Sequence, residues 1–276
     1  MGTAIPNLGI SVKPEFMESE FTAVLNDPSK ELEFKTKNLN MWVDAPTVWI
    51  PDEVIQANNF GTRDEDLSGK ECYAGLDLAS TDDLTALALF FPALPHPVLR
   101  LFFWVPEAKI KQKADRVDYR LWVQQGFITV TEGDVVDTDY LSKDIERIFH
   151  LYRVKNLTYD PWMATNGVIQ HLEKVGYYNI LDPIAQTITY LSEPTKNLQK
   201  RLQRRELDLM NNPVLRWMFR NVAIYTDPNM NIRLNKAKST EKIDGCAASV
   251  NAIAGYISKT ASTREAYAGG REIKVI

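Results

Sequence analysis

The sequence has few of the residues that staple a small fold or hold a soft metal. Its 276 residues include two cysteines, Cys72 and Cys246, and three histidines, His96, His150 and His171. The thiols fit neither a metal spacing nor a disulfide framework, so a reducing compartment is expected. The histidines lack metal-ligand spacing and read as surface or packing residues. Apolar runs are of strand length, which argues against a membrane-spanning helix and a membrane partner. The N-terminus carries neither the charged nor the apolar region of a signal peptide. GxxxxGK(S/T) is absent, so no nucleotide site and no translocating motor are expected in this chain. There are no internal repeats and no low-complexity tract.

What is present is the material of a full core. The chain is 45% apolar and 25% charged, as in an ordinary globular domain. Its net charge of −4 is unevenly spread: Tyr190–Lys242 holds eleven Lys/Arg against five Asp/Glu, a local +6 that leaves −10 elsewhere. A basic region set against an acidic site is what a metal-dependent nuclease needs.

The stretch Tyr73–Leu89, YAGLDLASTDDLTALAL, organises the chain. Asp77 interrupts an apolar run, the small polar turn Ala79–Asp83 follows, and a second apolar run begins at Thr85. Two strands joined by a turn fit this pattern. A carboxylate in a buried strand is costly unless something positive meets it, so Asp77 is the expected anchor of a divalent metal site. Asp83 is a possible further oxygen ligand; Asp82 reads as a solvated turn residue. Ser80 has no positioned base and is discounted as a nucleophile.

Residues 1–70 read as an N-terminal extension, with a helix at Pro14–Leu25 closed by Asp27-Pro28. Trp42, Trp49 and Ile50 are expected to dock on a neighbouring surface. The polar Gly61–Lys70 marks the boundary of the main domain, residues 71–259. Strands at Glu71–Leu78, Thr85–Phe91 and Val98–Val105 have short connections and imply an antiparallel meander. Ala114–Gln125 reads as a helix with Val117, Leu121 and Trp122 on one face, followed by an extended piece at Phe127–Thr131. Asp137–Val154 is a helix capped by Asp137 or Thr138, with Leu141, Ile145, Ile148, Phe149 and Tyr152 inward. A strand ending at Asp160 follows, so it is expected to lie parallel to the first strand, beside Asp77. Met163–Val175 reads as helical, Leu181–Pro183 as a short strand, and Thr195–Met210 as a helix. A shorter helix, Val214–Asn221, precedes a hairpin at Val222–Asn235. The last helix is expected at Thr240–Ser258, and residues 260–276 as a flexible tail.

Three acids form the candidate site: Asp77, Asp160 and Asp244. Two Mg²⁺ or Mn²⁺ ions shared among carboxylates activate water and stabilise the leaving oxygen in phosphodiester hydrolysis. Asp77 and Asp160 are expected to hold one ion jointly, and Asp244, with Asp83, the second. Each acid also has a plainer reading: a turn cap for Asp77, a turn pair for Asp160-Pro161, and a helix N-terminal charge for Asp244. The candidate DNA contacts are Lys196, Lys200, Arg201, Arg204, Lys236 and Lys238. Arg216 and Arg220 either do the same or pair with surface acids. Trp162 reads as core or wall rather than as a base-stacking platform.

These residues carry a resemblance. GLDLASTDDLTALALF, LTYDPWMA, NPVLRWMFRNV and KSTEKIDGCAASVNAIA resemble the nuclease part of tailed-bacteriophage terminase large subunits. NLGISVKPEF and LNMWVDAPTVWIP resemble the connector that precedes it. The resemblance implies an α/β, ribonuclease H-like mixed sheet, its first three strands antiparallel, with helices on both faces. It places the family's three acids on Asp77, Asp160 and Asp244, and an additional acid on Asp83. It implies cutting of concatemeric double-stranded viral DNA during genome packaging, in the host bacterial cytoplasm. The implied partners are an ATPase domain, which this chain lacks, a portal protein and a terminase small subunit; the isolated domain is expected to be a monomer. Three rivals stand beside this reading. A sugar-kinase or actin-like phosphotransferase is faintly suggested by DLASTDD, which lacks the glycine and basic residue of such turns. A catalytically weak module docking on portal or motor is the second. A restriction-type fold would rest on Glu272-Ile273-Lys274, which has no companion acid.

Overall fold

The computed structural model describes residues 13–26, 34, 38–39, 48–78, 84–112, 117, 119–163 and 167–269. Contacts divide the chain into two units, Met1–Thr47 and Val48–Ile276. In the first, the helix Pro14–Asn26 begins on its proline, where the missing N–H costs nothing, and Phe21 lies 6.0 Å from the ring of Phe34. Asp27-Pro28 and Trp42 lie outside the described residues.

The second unit is built on a six-stranded sheet, order β4-β3-β2-β1-β5-β6. The strands are β1 (Glu71–Asp77), β2 (Thr85–Phe91), β3 (Val98–Pro106), β4 (Thr129–Thr131), β5 (Arg153–Tyr159) and β6 (Leu181–Pro183). β1, β2 and β3 form the expected antiparallel meander, while β5 adds parallel to β1, β6 parallel to β5, and β4 parallel to β3. Every residue of β2 is buried. A strand covered on both faces loses polar alternation and reads as a continuous apolar run, which is why TALALFF was legible.

Helices cover both faces. On one, Ala86, Ala88, Phe90, Leu101 and Phe103 pack with Leu198, Leu202, Met218, Phe219, Val250 and Ile253. On the other, Leu76, Leu87, Leu89 and Trp104 pack with Leu141, Ile145, Ile148, Phe149 and Leu172. Each fully buried side chain of this size stabilises by ~1.5–3 kcal/mol. The helix Thr138–Leu151 supplies much of the second face and is capped as expected: Asp137 Oδ1 accepts from the N–H groups of Asp139 and Tyr140.

Residues 48–70, set apart in sequence by the polar Gly61–Lys70, pack into the same unit as the sheet. Ile50 and Leu67 are fully buried, and Trp49 lies 5.9 Å from Phe219. Arg216 fastens this segment: its Nε and Nη2 donate to Asp52 at 2.8 and 2.6 Å. The paired guanidinium pulls the Asp52 carboxyl down to about 2. A carboxyl held below its unfolded value stabilises the fold above that value, near 4, and loses the contribution as pH falls toward 2. Thermal unfolding of the wild type should therefore lose more Tm between pH 4 and pH 2 than that of Asp52→Asn; equal losses would show the pair contributes nothing.

Several boundaries differ from expectation. The Thr195–Met210 helix runs instead from Ile188 to Gln203, with Pro194 inside it. Burial of Leu191, Leu198 and Leu202 outweighs the hydrogen bond a mid-helix proline removes. It ends early in a Schellman turn without glycine: Arg205 takes φ 55°, its N–H reaches Leu202 O, and Glu206 N–H reaches Arg201 O. The helix expected at Met163–Val175 is described only over Gly167–Leu172. Its continuation widens through Glu173–Tyr177, where Gly176 turns to φ 100°. Of the face expected over Ala114–Gln125, Trp122 packs inward but Leu121 is exposed. The last helix begins at Asp244, not Thr240, because Lys236–Lys238 forms a separate turn, and it continues to Gly269 rather than stopping at Ser258.

Candidate metal centre

The last helix crosses the sheet against β1 at the closest range a backbone allows. A Cβ on Gly75 would lie 2.1 Å from Ala248 O and 2.2 Å from Ala252 N. Only glycine permits that approach, which carries Asp244, the first residue of the helix, to the end of β1 where Asp77 stands. Asn251 fastens the same face: buried, it donates to Leu76 O at 3.0 Å and accepts from Gln186 at 3.4 Å.

Asp77 and Asp160 meet through the parallel pairing. The ladder matches Gly75 with Thr158, and Asp77 and Asp160 each follow two residues further along their strands' direction. Both line one cavity of about 180 Å³, with Thr195, Arg233, Lys236 and Asn251 also in its wall. Lys236 ties in the third acid. Its Nζ donates to Asp77 Oδ2 at 2.6 Å and to Asp244 Oδ1 at 3.2 Å. It also lines a neighbouring hollow that includes Asp244, so one ammonium stands between the two depressions.

The electrostatics follow. Burial pushes the Asp77 carboxyl up and Lys236 offsets part of the rise, while nearby Asp160 adds to it. Burial works to lower the Lys236 ammonium, but Asp77 and Asp244 outweigh it and hold the amine protonated above its ordinary range. The acids thus already hold a cation supplied by the chain. Among the described residues, no three Asp, Glu, His or Cys side chains are grouped closely enough to hold a metal by themselves. Asp83 and Ser80 lie outside the described residues.

Of the basic candidates, Lys236 alone lines the cavity. Lys238 is exposed in the adjacent turn. Lys196, Lys200 and Arg201 lie on the helix whose Leu191 and Thr195 reach the cavity wall, and Arg204 caps its C-terminus. Arg201 bonds Asn197 and stacks 5.3 Å from Phe90, and Arg204 lies 3.8 Å from Glu206. Arg216 and Arg220 face Asp52. Sequence reasoning missed Arg233, which sits in the hairpin of β7 (Ile224–Thr226) and β8 (Ile232–Leu234) and lines the cavity. Its alternation with Ile232 and Leu234 is the signal that marks it. Asn251 was missed too; a polar residue inside the apolar stripe Val250–Ile253 was its trace. Trp162 is no wall: it is 88% exposed.

A mixed sheet with acids at the ends of two neighbouring parallel strands, and a third at the head of a helix laid across them, defines a ribonuclease H-like fold. Residues 2–259 match the family "Terminase large subunit, endonuclease domain", and the chain belongs to it. It is 27% identical over 263 residues to the terminase large subunit of Enterobacteria phage HK97, covering 93% of this chain and 51% of that protein. It is 27% identical over 266 residues to protein YmfN of Escherichia coli (strain K12), covering 91% of this chain and 57% of YmfN. The crystal structure of the HK97 bacteriophage large terminase superposes with a TM-score of 0.69 at 25% identity, over 90% of this chain and 52% of that one. The chain therefore spans about half the length of these relatives.

Proposed function

We propose that this chain is a Mg²⁺- or Mn²⁺-dependent DNA endonuclease domain that works within a terminase large subunit, cutting concatemeric viral DNA in the host cytoplasm as genomes are packaged. The observation that carries the proposal is that Lys236 bonds both Asp77 and Asp244 while Asp77 and Asp160 line one cavity, in a chain of this family.

The residues fit a hard divalent ion. Their donors are carboxylate oxygens, and Mg²⁺ keeps several waters and needs few protein ligands. That Asp77 and Asp244 already hold one cation between them supports the fit. Asp77 with Asp160 would hold one ion and Asp244, with Asp83, a second. Bound there, the ions would supply charge against the negative charge that builds on the phosphate oxygens during hydrolysis. Arg233 and Lys236, which line the cavity, would bind and orient the phosphodiester, and phosphate contacts of this kind position a duplex without reading its sequence. The ATPase domain, portal protein and terminase small subunit are the partners this reading gives to the larger machine. Among the described residues no helix is long and apolar enough to cross a membrane.

The full chain should nick supercoiled plasmid in Mg²⁺ or Mn²⁺, stop in EDTA, and resume when excess Mn²⁺ is added. Nicking that persists in EDTA would overturn the proposal.

A further inference from the structure

We infer that Trp162 is a base-contacting residue of this site, its indole stacking on a nucleobase beside the phosphodiester presented to Asp160. The inference rests on the nuclease reading and deepens it by naming what the protein touches on the DNA besides phosphate.

Trp162 is the most exposed of the large apolar side chains among the described residues, at 88%. Single exposed apolar residues are ordinary, and Leu121 and Val175 are examples here. Tryptophan is different, since it is usually well buried and its flat face is the largest any side chain offers to a partner. Its backbone is also held in place. Asp160 is followed at once by a one-turn helix, Pro161–Met163, whose proline ring holds the backbone. The Trp162 N–H donates to Asp160 Oδ1 at 3.0 Å, so the turn carrying the indole is latched to a carboxylate of the cavity. The cavity wall itself offers Arg233 and Lys236, which suit phosphate. A neutral aromatic two residues from Asp160 adds the other surface that DNA presents where its strands are unpaired, the face of a base. Stacking of this kind is tolerant of sequence, as a general cutter requires.

The test is binding of a short DNA duplex with an unpaired stretch, measured by fluorescence anisotropy in EDTA across a salt series, for the full chain and its variants. Trp162→Ala should weaken binding about 10-fold at every salt concentration, because a stacking contact displaces no counterions. Trp162→Phe should recover most of the loss. Arg233→Ala should instead flatten the salt dependence, as loss of a phosphate contact does. Because the side chain is exposed, Trp162→Ala should keep the wild-type Tm. Affinity unchanged in Trp162→Ala, or an equal loss in Trp162→Phe, would overturn the inference while leaving the nuclease reading intact. A wild-type chain that neither binds nor cuts DNA would remove both.

Discussion

Asp160→Asn is expected to lower plasmid nicking in Mn²⁺ by more than ~100-fold, since even the outer partners of metal ligands are worth ~10–100-fold. The substitution keeps the side chain's size and leaves an oxygen to accept from the Trp162 N–H. It removes the negative charge that shares the cavity with Asp77 and helps raise its carboxyl. Asp160 is the cleaner target of the two acids. Asp77 is nearly buried and bonded to Lys236, so its loss would strand an ammonium as well as a ligand. DNA binding in EDTA should survive in Asp160→Asn, because one negative charge fewer favours a polyanion. The readouts are nicking rate, binding and Tm, and full-rate cutting by a folded Asp160→Asn chain would remove Asp160 from the chemistry.

Gly75→Ala is expected to be the most damaging single methyl in the second unit. Overpacking in a core usually costs ~1–3 kcal/mol because side chains move aside. Here the obstacles are the Ala248 carbonyl and Ala252 N–H of a helix, at 2.1 and 2.2 Å, and neither has a rotamer to change. The helix must lift from β1. A cost of about 3 kcal/mol or more follows, which lowers Tm by roughly 10 °C in a domain of this size. The same shift moves Asp244 away from Asp77, so cation binding should weaken beyond what stability alone explains. A Gly75→Ala chain that melts within 2–3 °C of wild type, by circular dichroism, would show that the helix does not need this close approach to β1.

Much of the sheet was legible because its physics is local. A strand buried on both faces has to be apolar throughout, as TALALFF is, and the stretch Val222–Asn235 announces its hairpin. Asp137 caps its helix because a short acceptor side chain precedes an apolar stripe. The ends of Ile188–Gln203 were not legible: Pro194 suggests a break, and a Schellman turn closed by Arg205 leaves no glycine to read. At the candidate site, Asp77 stood out because a charge among Leu76, Leu78 and their neighbours demands a partner. That partner, Lys236, lies 159 residues away and emerges only when the hairpin folds over the strand end. Lys236 was read as a phosphate contact, and its bond to two of the acids is a tertiary fact. Trp162 looked like core because tryptophan usually is; its exposure depends on a turn latched to Asp160, which composition does not reveal.

The most direct test is anomalous diffraction from crystals soaked in Mn²⁺. Density is expected between the carboxylates of Asp77 and Asp160, with a second peak against Asp244 and the Lys236 ammonium displaced from both acids. Manganese bound elsewhere, with Lys236 still bridging Asp77 and Asp244, would contradict a metal centre at these three residues.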